Sequence, residues 1–119
     1  MKNWELIFIL QNTYFNEESI VRIPRTLKIG GKKIRVIVNR SDNIFDAQAV
    51  GTWDGNRYVI ELDKFDEAPI ERVEECFLHE IIEAINCMHE MKLAHWKINT
   101  MSEILFQIIK DNKLDFTSR

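Results

Sequence analysis

The sequence predicts an α+β domain, a small antiparallel sheet of three to five strands packed on two C-terminal helices. Three observations predict it. Two segments in the first half carry strand-like patterns folded back on glycine-containing turns. From Glu67 onward the apolar residues recur at steps of three and four. The strands also precede the helices instead of alternating with them. At 119 residues, 45% apolar and 29% charged, the chain can bury one core and is too short for two ordinary domains, so residues 1–119 read as a single domain.

The first apolar run, Leu6 to Leu10, follows Glu5 directly and is not followed by a small-residue cleavage site. It reads as a buried strand and not a targeting segment. No stretch approaches the roughly 18 apolar residues of a membrane span. Next, Ile23-Pro24-Arg25-Thr26-Leu27-Lys28-Ile29 leads through Gly30-Gly31 into Lys32-Lys33-Ile34-Arg35-Val36-Ile37-Val38, where apolar and basic residues alternate. That pattern predicts a hairpin with one wet face. Residues 39–48 are polar and aperiodic, which predicts a loop. A second hairpin follows, residues 49–53 and 57–62 joined through Asp54-Gly55-Asn56, with β-branched and aromatic flanks.

Beyond Glu67, the residues Ile70, Val73, Phe77, Ile81, Ala84, Ile85 and Met88 mark one face of a helix with Pro69 near its first turn. Residues 90–94 interrupt the pattern. A second helix takes over with Ile98, Met101, Leu105, Ile108 and Ile109 as its apolar stripe, and ends by Asn112.

Acidic residues exceed basic ones by 19 to 16, so the balance lacks the basic footprint that phosphate-rich partners select, and no nucleic-acid or membrane partner is expected. Cys76 and Cys87 lie on one predicted helix, about 16 Å apart along its axis, too far to bridge. Two free thiols without a signal peptide point to the cytoplasm.

The chemistry sits on the first helix, in Phe77-Leu78-His79-Glu80-Ile81-Ile82-Glu83. His79 and Glu83 are four positions apart, so both project from one helix face and can ligate one cation. Glu80, next to the first ligand, is placed to act as general base on a water. Zinc accepts carboxylate oxygen as well as imidazole nitrogen, and a carboxylate widens the choice to manganese or iron. Taken alone, the spacing favours a plain solvated face, because the apolar face centres near Phe77, Ile81 and Met88, nearly opposite His79 and Glu83.

Three residues compete as a third ligand. His95 starts the second helix, which a short connection folds back on the first, and it is the preferred candidate. His89 requires the first helix to bend at Asn86, yet Met88 continues the apolar stripe past that point. Glu103 lies off the apolar stripe of the second helix. Cys76 stands three residues before His79, but a buried thiol is the commoner role for such a cysteine, and Cys87 is read the same way. Trp53 and Tyr58 are candidates to line a groove for an extended peptide or to pack across strands.

The run from Ile23 to Gly31, the strand pair around Trp53 to Leu62, the helix Leu78-His79-Glu80-Ile81-Ile82-Glu83-Ala84-Ile85-Asn86 and the ending Ile104 to Asn112 together resemble small phage- and prophage-encoded zincin-like proteins of minimal gluzincin type, over roughly residues 23–112. Residues 1–22 are then an N-terminal extension. The resemblance implies a zincin-like fold and a zinc metallopeptidase with His79 as ligand and Glu80 as base. It also supports Glu83 and His95 as the other ligands. Members of that group commonly carry a second histidine where this chain has Glu83, which sets two expectations against each other. One is a peptidase acting on a peptide. The other is a catalytically inactive zincin-fold protein that binds a host-protein partner as a phage accessory factor.

Overall fold

Gly30 and Gly31 adopt φ of +54° and +87°, a region that side chains with a Cβ disfavour, and turn the chain between β1 (Thr26–Ile29) and β2 (Lys32–Ser41). The computed structural model describes residues 23–41, 49–65 and 68–115. The strand expected at residues 6–10 lies outside them. Of the loop expected at 39–48, residues 42–48 also lie outside, while residues 39–41 continue β2 because they pair with Asp63, Lys64 and Phe65.

The second hairpin joins β3 (Ala49–Asp54) to β4 (Val59–Phe65). Its turn is held by Asp54 Oδ1, which accepts from the backbone N–H of Asn56 at 3.0 Å and of Arg57 at 3.2 Å. Tyr58 has φ of +54°, so the turn runs further than expected and β4 starts at Val59.

The α+β architecture is as the sequence predicts; among the described residues the sheet has four strands in the order β1-β2-β4-β3, and it is mixed. Its outer pairings are antiparallel, whereas β2 and β4 run parallel, Arg35 beside Val59 through Ser41 beside Phe65. Composition accounts for the arrangement. β4 carries Val59, Ile60 and Leu62, all essentially inaccessible, and takes a central position. β3, with Gly51, Thr52 and Asp54, is left at the edge.

Two antiparallel helices, α1 (Ile70–Met88) and α2 (His95–Asp111), follow. Pro69 is the N-cap of α1, where its lack of an N–H costs nothing. α1 lays Val73, Phe77 and Ala84 on the inner sheet face, against Ile34, Val36, Ile60 and Leu62, with Ile70, Ile81, Ile85 and Met88 at the margin. That is the face expected from the periodicity.

α1 ends at Met88 with His89 as its C-cap, and the next residue, Glu90, has φ of +51°, where glycine usually stands; Met91 N–H donates to Asn86 O at 3.0 Å and Glu90 N–H to Cys87 O at 3.4 Å. Asn86 then holds the returning chain, its Oδ1 accepting from Leu93 N–H at 2.8 Å. At the far end Lys110 Nζ lies 3.3 Å from Glu71 Oε1, so the helices are clipped near both ends.

α2 does not bury the stripe expected of it. Ile98 is buried and Ile109 partly so, but Met101, Leu105 and Ile108 are exposed, together with Ile104, while Ser102 is 2% exposed. α2 packs on α1 and not on the sheet, so the residues that meet α1, Ile98 and Ser102, decide its orientation. Among the described residues, no helix is long and apolar enough to cross a membrane.

Candidate metal centre

The helical pair converts a polar helix face into a site. His79 and Glu83, one turn apart on α1, look toward α2 and not into open water; the His79 side chain is 17% exposed. The antiparallel return pinned by Asn86 brings His95, first residue of α2, over Glu83. His95 Nδ1 lies 3.4 Å from Glu83 Oε1, and His79 Nε2 lies 3.7 Å from the same oxygen. One donor atom from each of the three residues lies within 4.8 Å of the other two. Donors about 2.1 Å from a tetrahedral ion sit about 3.4 Å apart, which the His95–Glu83 and His79–Glu83 separations of 3.4 and 3.7 Å match. The group can therefore hold a metal ion.

The protonation chemistry agrees. Burial pulls the pKa of His79 below its usual value, against the opposing pull of the Glu83 carboxylate. A neutral imidazole offers a lone pair, and at 3.7 Å it is too far from Glu83 for a hydrogen bond. A cation between the two atoms would satisfy both.

Glu80 occupies the other side of α1's polar face and is 7% exposed. It reaches between α1 and β3, where Gly51 makes room. A Cβ at Gly51 would lie 2.8 Å from Glu80 Cγ, 3.0 Å from Glu80 Oε2 and 3.1 Å from Leu62 Cδ2. Burial, and then the negative charge of Glu83, push the Glu80 pKa up to about 7. A carboxylate with that affinity can both take up and release a proton near neutrality. Its Oε2 lies 4.0 Å from His79 Nε2.

The cleft has a volume of about 440 Å³ and is flanked by Val50 and Gly51 of β3, by His79, Glu80 and Glu83 of α1, and by His95 and Ser102 of α2. Glu103 and Cys76 also line it without joining the ligand group. Burial, reinforced by Glu75 and Glu80, raises the Cys76 thiol pKa, which keeps it protonated and a poor ligand. Cys87 is exposed and neither cysteine is in a disulfide. His89 does not join the donor group among the described residues. α1 stays helical through Asn86, and His89 instead lies over the first hairpin turn, its Nε2 3.4 Å from where a Gly30 Cβ would be.

Trp53 and Tyr58 do not line the cleft. Their rings meet edge to face with centroids 6.1 Å apart and pack against the core, and Val50 and Gly51 present β3 to the site instead. Gly51 and Ser102 are the site residues that the sequence did not signal. A glycine in an otherwise regular strand was the available hint for the first; a single serine in a helix offers none for the second.

Compared with family models, with curated proteins and with solved structures, the chain finds no match in any of the three.

Proposed function

We propose that this chain is a metal-dependent hydrolase, a zincin-like peptidase of phage or prophage origin, with His79, Glu83 and His95 as the metal ligands and Glu80 as the general base. The observation that carries the reading is the placement of a nearly inaccessible, proton-affine Glu80 beside three convergent donor atoms. The donor set is two imidazoles and one carboxylate, a composition used by catalytic zinc sites that keep a position open for water or substrate. Glu83 in place of a histidine therefore need not disable the centre, because His95 restores the second imidazole. Harder metals such as manganese or iron suit the same set.

A bound divalent ion would supply Lewis acidity toward a water and a carbonyl oxygen. The rest falls to the chain. Glu80 takes a proton from the attacking water and returns it to the departing amine, a double role that its raised pKa suits. β3 is an edge strand among the described residues, and Val50 and Gly51 bring it to the cleft, where an extended peptide would pair along it beside the ligands.

The test compares zinc-loaded wild type with Glu80→Gln on a mixture of unstructured peptides. The reading expects cleavage by wild type and none by the variant, with zinc content equal in both. Equal cleavage by both proteins would refute the role of Glu80, and no cleavage by either would refute the activity.

A second reading, a binding protein that uses the metal as a staple, has one observation in its favour. Met101, Ile104, Leu105 and Ile108 form an exposed apolar stripe on α2. On that reading zinc raises the melting temperature, no peptide is cut, and His79→Ala leaves partner binding unchanged.

A further inference from the structure

Ser102 is the one buried polar residue of α2, 2% exposed, and its hydroxyl stands between two groups. The Asn99 carbonyl oxygen is 3.0 Å from Oγ, and His79 Nδ1 is 3.4 Å from it. A hydroxyl has one proton to give, and a carbonyl can only accept. The shorter contact, one turn back along the same helix, takes that proton. Oγ then faces His79 with lone pairs only. The contact to Nδ1 becomes a hydrogen bond when the imidazole carries its proton there, Nδ1–H donating to Ser102 Oγ.

We infer that Ser102 is a positioning residue which holds His79 in the Nδ1–H form, so that the Nε2 lone pair is directed at the cation position between His79 and Glu83. This deepens the proposed metal centre and rests on it. The relay runs from the Asn99 carbonyl through the Ser102 hydroxyl to His79 Nδ1, and the opposite ring nitrogen lies 3.7 Å from Glu83 Oε1. It assigns a function to a buried polar side chain at a helix crossing, where alanine would otherwise pack as well. A partner on the remote ring nitrogen fixes both the tautomer and the ring orientation of a ligating histidine, and losing it typically weakens metal affinity about 10- to 100-fold.

The experiment has two arms. In metal-free protein at about pH 8, where an ordinary imidazole is neutral, long-range proton–nitrogen NMR reads which nitrogen of His79 is protonated. Wild type should show the Nδ1–H form, and Ser102→Ala should lose that preference. Zinc affinity, read by competition with a chromophoric chelator, should fall about 10-fold or more in Ser102→Ala and be retained in Ser102→Thr, which keeps the hydroxyl. An Nε2–H form in metal-free wild type, or unchanged zinc affinity in a folded Ser102→Ala, overturns the inference. Should no variant, nor wild type, bind zinc, the metal centre itself fails, while the tautomer of the metal-free wild type still decides what Ser102 does.

Discussion

The two faces of α1 are built on opposite principles. Toward the sheet it presents Val73, Phe77, Ile81 and Ala84, whose burial is favourable wherever the apolar surface is covered. Toward the cleft it presents Cys76, His79, Glu80 and Glu83, polar groups held in partial or near-complete burial. Burying such groups costs free energy unless each finds a partner. His79 and Glu83 have only long contacts, 3.4 Å to Ser102 and to His95, and none with each other short enough for a hydrogen bond, while Glu80 answers its burial by binding a proton more tightly. The first face holds the molecule together. The second is tolerated by the fold, as expected of a site whose partner is an ion.

The sharpest way to break this contrast is to truncate one residue on each side. Phe77→Ala, at a 5% exposed position, should destabilise the protein by about 3–5 kcal/mol. His79→Ala, measured without metal, should cost less, about 1–2 kcal/mol, since the imidazole has one long hydrogen bond and an edge contact with the His95 ring. Urea unfolding of both variants checks the pair. Comparable losses would mean that the polar face is structural after all.

A second test uses pH. Glu80 has a folded pKa of about 7 against an ordinary value of 4.5, so the folded state holds the proton more tightly than the unfolded chain does. Its contribution to stability is fully present below the unfolded value and is lost as pH rises through about 7. Metal-free wild type should therefore lose on the order of 2–3 kcal/mol between pH 4.5 and pH 8 from this group. Glu80→Gln should flatten that slope. A melting-temperature series across pH checks it, with equal slopes in the two proteins as the contradicting result.

Gly51→Ala sharpens the comparison from the sheet side. The added methyl would stand 2.8 Å from Glu80 Cγ, so Glu80 or β3 must shift, at about 1–3 kcal/mol. Catalytic turnover should fall with zinc affinity preserved, because Glu80 is not a ligand. The smallest effect is expected at Glu90, which sits at φ of +51° at the end of α1. Glu90→Gly should stabilise the protein by about 0.5–1 kcal/mol without altering metal binding, as thermal unfolding would show.

Much of this architecture was legible because period and turn chemistry are local. Gly30-Gly31 turns where it should, and the apolar stripe of α1 faces the sheet. Strand neighbours are not local information. The alternation in β2 reports its two faces and not whether β3 or β4 lies beside it, so the parallel pairing was missed. The same gap explains α2, whose apolar stripe remains exposed because α1's polar face and not the sheet is its packing partner.

At the site, the spacing of His79 and Glu83 was visible, and His95 followed from a short connection between helices. That this face is covered instead of solvated depends on His95 and Ser102 reaching it from α2, and no pattern along α1 reports it. Gly51 and Ser102 act through contacts far apart in sequence, which a linear reading does not supply.

In the proposed function, three side chains from two helices form one cation site. Titration of zinc into the metal-free chain, followed by calorimetry, tests it most directly. One ion per chain is expected, with binding lost or severely weakened in His79→Ala, Glu83→Ala and His95→Ala alike and kept in Glu80→Gln. Absence of stoichiometric binding, or undiminished binding after loss of any one of the three ligands, would contradict it.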